Sequence, residues 1–414
     1  MEETQIITPW KATSSDGFNY LKLIDQFGCS PVSNELINKF ERVTGIKAHT
    51  WLRRGRYFSH KDLDLVLDDY ESGKQIYIYT GRGPSSESMH LGHMIPFVFT
   101  KYLQDAFNAI VIIQMSDDEK YYFNGQKTGN KLSYYNDLSR KNALDIIACG
   151  FNIEKTYIFS NLEQFGGALY RITAEIMVRL TGNQVKGIFG LNLDNNIGEL
   201  FWPAAQAAPA FSQAFPDLFS DNCRCLVPMA IDQSPYFRLA RDFAEKFHVL
   251  KPAEIHAQFL PSLFGINNKM SSSDAQNGSI FLTDTPDIIE TKIKKYAYSG
   301  GGKTLQEHRQ LGADLNVDVA YQYLLYFLDD DKELEKIARE YKSGRMLTSD
   351  IKKIMIDCVL KFVNEHQERR EQITQEIIDK FFDRNREFDN TTIKREPYIG
   401  DNVNCGFDFD TLFE

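Results

Sequence analysis

KQIYIYTGRGPSSESMHLGHMIPFVFTKYLQDAF, residues 74–107, sets a strand, a turn and a helix in immediate succession. Ile76 to Tyr79 alternate β-branched and aromatic side chains, the types that suit a pleated and packed surface, and the run stops at the turn Gly81-Arg82-Gly83-Pro84. From Met89 the spacing becomes compatible with a helix. The same alternation recurs outward along the chain. Strand-like runs stand at AIVIIQM (109–115), TYIFS (156–160) and CLVPMAI (225–231), separated by helical patterns such as SRKNALDIIACG (139–150), which closes on Gly150. Strands alternating with helices imply an α/β fold with a mostly parallel sheet. In such sheets ligands sit beyond the C-terminal ends of the strands, so the residues after Tyr79, Met115 and Ile231 are expected to line one pocket.

Upstream, residues 1–72 form an N-terminal extension with a basic turn, LRRGRYF (52–58). A helix is expected over 59–70, capped by Ser59, with Leu63, Val66, Leu67 and Tyr70 on one face and Gly73 just past its end. Downstream of 283 the pattern is helical only. Thr285 and Pro286 start one helix, Ile289, Ile293 and Tyr296 carry its face, and Gly300 to Gly302 end it. DVAYQYLLYFL (318–328), KELEKIAREY (332–341, stopping at Gly344) and a long stretch over 349–382 follow. The expected division is an extension (1–72), an α/β domain (73–282), an α-helical domain (283–388) and a tail (389–414) rich in Asp and Asn.

Composition narrows the class. A chain of 414 residues, 43% hydrophobic and 25% charged, is long enough for two or three domains and reads as an ordinary globular protein. The N-terminus lacks a basic segment leading into an apolar one, and no long apolar run occurs, so a cytosolic protein without membrane segments is expected. The cysteines, Cys29, Cys149, Cys223, Cys225, Cys358 and Cys405, include no CxxC pair. They read as idle thiols rather than a zinc or redox motif. A net charge of −10 means that any nucleic-acid partner has to be held through a local basic surface.

Two motifs carry chemistry. In His90-Leu91-Gly92-His93, at the start of a helix after a glycine-rich turn, the glycine leaves bare backbone for a flat ring. Two imidazoles three residues apart face one side of the first turn, beside the free N–H groups of the helix N-terminus. In Lys269-Met270-Ser271-Ser272-Ser273, inside the loop GINNKMSSSDAQNG (265–278), a lysine with hydroxyl neighbours can follow phosphate oxygens as charge moves onto a leaving group.

In this order the two motifs resemble the paired HIGH and KMSKS signatures of class I aminoacyl-tRNA synthetases, with Ser272 where that pattern has lysine. YTGRGPSSESMHLGHMIPF (79–97), IQMSDDEKYY (113–122), PAAQAAPAFS (203–212), PMAIDQSPYFRLARD (228–242), FSHKDLDLVLDDYE (58–71) and YSGGGKTLQEHRQLGADLNVDVAYQYLLYFLDDD (298–331) look like the tryptophanyl-tRNA synthetases of eukaryotic cytosol. The likeness spans roughly residues 8–385 and weakens at 123–133, at Trp202 and after Phe388. It implies a Rossmann-like catalytic domain, a helical anticodon-binding domain and a homodimer that uses L-tryptophan, ATP with Mg²⁺, and tRNA(Trp). His90, His93, Lys269 and Ser271 would be catalytic. Arg82, Gly83, His90, Gly92, His93, Lys120, Gln233, Lys269 and Met270 would hold ATP. Tyr79, Gln114, Glu119, Gln206 and Gln233 would hold tryptophan, with Tyr79 and Gln114 at the indole N–H. No residue is a protein metal ligand and none is a nucleophile.

Other readings stay open at this level. A tyrosyl-tRNA synthetase shares the fold and both motifs, a nucleotidylyltransferase also uses an HxGH site, and a regulatory relative could have lost catalysis. GGGKT (300–304) imitates a phosphate-binding loop but has Ala297 where GxxxxGK[ST] needs glycine, and it follows a helix. Asp117-Asp118-Glu119 suits capping or ligand contact better than a metal. Asp68-Asp69 and Asp329 to Asp331 read as solvated helix ends.

Overall fold

A computed structural model describes residues 5–7, 12–14, 17–220, 222–270, 277–393 and 395–398. Its strands are β1 (Ile6–Ile7), β2 (Ala12–Thr13), β3 (Ser30–Pro31), β4 (Tyr57–Lys61), β5 (Ile76–Arg82), β6 (Ile110–Met115), β7 (Thr156–Ser160), β8 (Arg224–Ala230), β9 (Ala253–Ala257), β10 (Pro261–Ser262) and β11 (Gly265–Lys269). Seven of them form one sheet in the order β3-β4-β9-β8-β5-β6-β7. The five from β9 to β7 are parallel, and β4 and β3 extend the edge antiparallel. The chain steps outward from β5 through β6 to β7 and then returns to β8 on the other side of β5. That reversal opens a crevice at the C-terminal end of β5.

Side-chain alternation splits each central strand between two cores. Ile76, Ile78, Val111, Ile113, Ile158 and Leu226 pack on one face, while Tyr77, Tyr79, Ile110, Ile112, Tyr157, Phe159, Cys225 and Val227 pack on the other. Burial on both faces is why these strands read as nearly unbroken apolar runs. Helix Leu91–Phe107 covers the first face, and helices Gly167–Arg179, Gly182–Phe189, Ile197–Ala207 and Ser234–Phe247 contribute to the second. Downstream stand the helices Pro286–Tyr296, Leu305–Leu311, Val319–Phe327, Asp331–Lys342, Thr348–Glu371 and Gln375–Phe382. A four-stranded antiparallel sheet, β1-β2-β11-β10, joins the N-terminal segment to the hairpin that ends at Lys269.

Several local expectations are corrected. Residues 59–61 belong to β4 and not to a helix, because pairing with β9 buries Tyr57 to His60. Ser59 is therefore no cap. The helix is Leu63–Glu71, and the His60 ring accepts the Leu63 N–H at 3.2 Å. The 349–382 stretch is two helices, with a break at residues 372–374. The helix begun by Pro286 stops at Tyr296, before the three glycines.

The acidic clusters are not simply solvated. Asp69 is buried and accepts from Arg224 and, at 2.8 Å, from Lys74. Asp331 pairs with Arg53 and Arg54 of the basic turn. Arg54 is 1% exposed and also donates to the carbonyls of Leu325, Leu328 and Asp329, closing the end of helix Val319–Phe327. The basic turn thus faces inward and holds the N-terminal segment to the helical region. At the opposite end of the sheet from the crevice, Lys155 binds Asp389 at 2.9 Å and the Thr391 carbonyl, while Arg395 donates to the carbonyls of Ala106 and Asp105. The described part of the tail therefore lies along the base of the sheet.

Candidate active site

A cavity of about 690 Å³ opens at the C-terminal ends of β5, β6 and β8. Tyr79, Arg82, Gly83, His90, Gly92, His93, Gln114, Glu119, Lys120, Gln206, Gln233, Lys269 and Met270 all line it. Ser271 lies outside the described residues. Tyr79 and Gln233, more than 150 positions apart in sequence, meet here because parallel strands deliver their ends to one edge.

One end of the cavity is aromatic and neutral. Tyr79 on β5 and Gln114 on β6 point to the same face, and their register, Gly81 opposite Gln114, makes them diagonal neighbours. The Tyr79 hydroxyl lies 2.5 Å from Gln114 Oε1 and 3.0 Å from the Gln206 carbonyl oxygen. Phe237 meets the Tyr79 ring edge-on at 5.9 Å, and Trp202 and Tyr236 complete the wall. A planar apolar group with one polar hydrogen matches this end. Glu119, in the first turn of helix Asp117–Thr128, holds Lys120 at 2.9 Å. Both side chains fold over Gly83, where an added Cβ would stand 2.3 Å from Lys120 Cε and 2.6 Å from Glu119 Oε2.

The other end is built for an anion. His90 caps helix Leu91–Phe107 without a side-chain cap bond, and its ring stacks on His93 at 3.5 Å. Main-chain bonds from Leu91 N–H to the Ile280 carbonyl and from Leu282 N–H to the Met89 carbonyl clamp this turn beside residues 280–282. A Cβ on Gly92 would lie 3.2 Å from the His90 ring and 3.3 Å from Met270 Cβ, so side chains of the two motifs flank bare backbone. Burial, aided by the nearby Arg82 cation, lowers the His90 imidazole to about 3 and His93 well below the usual range. Both rings are neutral donors or acceptors. Positive charge comes from Lys120, Lys269 and Arg82, whose guanidinium is brought down to about 10 by burial and bonds Asn142 through Nε at 3.1 Å.

Among the described residues, four buried polar atoms at this end have no hydrogen-bond partner: both His90 ring nitrogens, His93 Nδ1 and Arg82 Nη2. Such atoms are costly unless a ligand satisfies them. Lys269, at the end of β11, instead has a partner, bonding Asp232 at 2.5 Å and lying 5.4 Å over the Phe259 ring.

Asp232, which lines the cavity, and Asn161, which accepts from Gln114 behind its wall, were not singled out from sequence. Both directly follow strands of the parallel sheet, in the turn after β8 and immediately after β7, which is the signal that marks them. The acidic run is a buried hydrogen-bonding cluster. Asp117 accepts from Ser160, Asn136 and the Leu162 N–H, and burial, reinforced by the Asp117 carboxylate, pushes the Asp118 carboxyl up to about 7. GGGKT is not a phosphate cradle: Gly301 N–H donates to Ser299 and Gly302 N–H to His308, and a Cβ at Gly302 would stand 2.5 Å from the His308 nitrogen. Cys223 and Cys225 are buried free thiols.

Known proteins share this fold and much of this sequence. The profile of the class I tRNA synthetases of the W and Y type matches residues 71–364. The human cytoplasmic tryptophan–tRNA ligase is 50% identical over 385 residues, covering 92% of this chain and 81% of the human protein. The Dictyostelium discoideum cytoplasmic tryptophan–tRNA ligase is 48% identical, covering 91% and 95%. The crystal structure of the Plasmodium falciparum tryptophanyl-tRNA synthetase superposes with a TM-score of 0.82 at 50% identity, covering 88% of this chain and 95% of that one.

Proposed function

This chain belongs to the class I tRNA synthetases of the tryptophan and tyrosine type, and from that membership we propose how its cavity divides the work of a tryptophan–tRNA ligase. The enzyme activates L-tryptophan with ATP and transfers it to tRNA. The single observation that carries the division is a cavity with an aromatic, neutral end at Tyr79 and Gln114 and an anion-binding end at His90, His93 and Lys269.

The indole enters the aromatic end, where its one N–H meets Tyr79 and Gln114. Glu119 and Gln206 hold the neighbourhood of the α-ammonium, and Gln233 the carboxylate or ribose side. The adenine lies against Gly92, and Arg82, Lys120, His90 and His93 receive the phosphates. The tryptophan carboxylate attacks the α-phosphorus in line and pyrophosphate leaves toward Lys269, Met270 and Ser271, so the protein contributes positioning and charge stabilisation rather than a nucleophile. Among the described residues no group of three or more His, Cys, Asp or Glu side chains could hold a metal ion. Mg²⁺ is proposed to arrive on the nucleotide's own phosphates, as this ion commonly does.

Residues 73–282 are proposed as the catalytic domain, 283–388 as the anticodon-binding domain, and 1–72 and 389–414 as the extension and tail. A homodimer is proposed through the helices after β7, where Tyr170, Val178, Leu193 and Ile197 are 51%, 85%, 95% and 79% exposed. So much apolar surface on one stretch suits a second copy of the same chain. Sedimentation at twice 47.7 kDa is the expected result, and a lone 47.7 kDa species at micromolar concentration would count against it. Among the described residues no helix is long and apolar enough to cross a membrane, and we place the enzyme with its cytoplasmic relatives. The test of function is charging of tRNA. Radiolabelled tryptophan is expected to become acid-precipitable on tRNA in an ATP-dependent reaction, and absence of charging with an active, folded preparation would overturn the reading.

A further inference from the structure

Gln114 can read the indole only if its amide presents oxygen and not nitrogen to the substrate, and nothing in Gln114 itself fixes that choice. The surroundings do. Asp118 Oδ1 receives two N–H donors, from the Glu119 backbone and from Asn161 Nδ2, each at 2.8 Å. With its nitrogen committed to Asp118, Asn161 turns Oδ1 toward Gln114, which donates from Nε2 at 3.0 Å and also faces the Ala205 carbonyl at 3.4 Å. Gln114 Oε1 is left pointing at the Tyr79 hydroxyl. That hydroxyl has one proton and a second acceptor, the Gln206 carbonyl, to which it can turn when an indole N–H arrives. Asp118, Asn161 and Gln114 are 5%, 4% and 2% exposed, so water does not supply alternative partners for the relay.

We propose that Asn161, oriented by Asp118, is a positioning residue for amino-acid selection: it sets the polarity of the Gln114 amide so that the cavity offers two acceptors to the indole N–H. A reversed Gln114 amide would set Oε1 against Asn161 Oδ1 and the Ala205 carbonyl, acceptor on acceptor, and would aim a donor at the indole N–H. The relay does not depend on the charge of Asp118. Because two N–H groups converge on Oδ1, a proton taken up resides on Oδ2, which faces the Tyr122 hydroxyl at 3.4 Å, and the polarity passed to Asn161 is unchanged. This inference rests on the reading of Tyr79 and Gln114 as the indole contacts.

The test uses two amino acids of nearly the same shape, L-tryptophan and L-3-(benzothiophen-3-yl)alanine, in which sulfur replaces the indole N–H. The readout is the ratio of their kcat/KM values in ATP–pyrophosphate exchange. Asn161→Leu is expected to lower the preference for tryptophan by about tenfold, the scale of one buried hydrogen bond, with the KM for ATP unchanged. Asn161→Ala carries the same test should the leucine variant not fold. Asp118→Asn, whose amide oxygen can take the place of Oδ1, is expected to keep the parental ratio. Gln114→Ala is the reference. If it collapses the ratio while both Asn161 variants keep it, the relay is wrong and the indole contact stands. If Gln114→Ala itself keeps the parental ratio, the indole contact and the relay fail together.

Discussion

Lys269→Ala is expected to lower the single-turnover rate of adenylate formation by about two orders of magnitude or more, the range seen when one preorganised transition-state contact is removed. The reason lies in where charge moves. Pyrophosphate gains negative charge only as the bond between the α- and β-phosphates breaks, so a lysine that follows those oxygens stabilises the transition state more than bound ATP. The geometry adds a second consequence. Lys269 is held by Asp232, whose side chain is 2% exposed. Removing the lysine leaves a buried carboxylate without its cation, at the place where phosphate oxygens must come. Tryptophan binding is expected to stay nearly unchanged, because the aromatic end of the cavity is built from β5, β6 and the helices after β7. Stopped or quenched-flow adenylate formation, measured beside equilibrium tryptophan binding, separates the two effects. A variant that forms adenylate at the parental rate would reduce the segment around Lys269 to a linker.

The parts of the fold that were legible in the sequence are those where one local pattern determines one outcome. Tyr77 and Tyr79 alternate with Ile76 and Ile78 because the strand is packed on both faces, although it runs on through Gly81 to Arg82 and stops only at Gly83, where Glu119 and Lys120 come close. The rule that ligands gather beyond parallel strands pointed to the residues after Tyr79, Met115 and Ile231 as one pocket, and Arg82, Ser116 and Gln233 line it, whereas Tyr79 and Gln114 themselves were marked only by the family resemblance. What escaped depends on tertiary pairing. Ser59 and Leu63 keep a helical spacing with Val66, yet residues 57–61 are drawn into the sheet by β9, a strand whose Glu254 and His256 gave no apolar signal. Those polar groups are buried because each finds a partner: His256 lies 2.9 Å from Glu254 and 3.0 Å from the Ser59 hydroxyl. Arg54 read only as part of a basic turn for the same reason, since its carbonyl partners at Leu325, Leu328 and Asp329 lie about 270 positions away. Asn161 was invisible because its role exists only through Asp118 on one side and Gln114 on the other.

The second large effect is the choice between amino acids, and it follows from how little polar contact an indole offers. Tryptophan presents one donor and a wide apolar face. The cavity answers with acceptors at one point, Tyr79 and Gln114, and with Phe237, Trp202 and Tyr236 around them. A tyrosine side chain is smaller, so it leaves part of that aromatic space unfilled, and its hydroxyl cannot occupy the position of the indole N–H while its ring packs in the same place. A site built around one buried hydrogen bond penalises a substrate that leaves the bond unmade, because the acceptors have then lost water without replacement. The measurement is ATP–pyrophosphate exchange with L-tryptophan and L-tyrosine on the same enzyme preparation. Exchange driven by tryptophan, with a kcat/KM about three orders of magnitude or more above that for tyrosine, is the predicted result. Exchange with tyrosine equal to or greater than exchange with tryptophan would contradict the assignment of Tyr79 and Gln114, and with it the reading of this chain as a tryptophan–tRNA ligase.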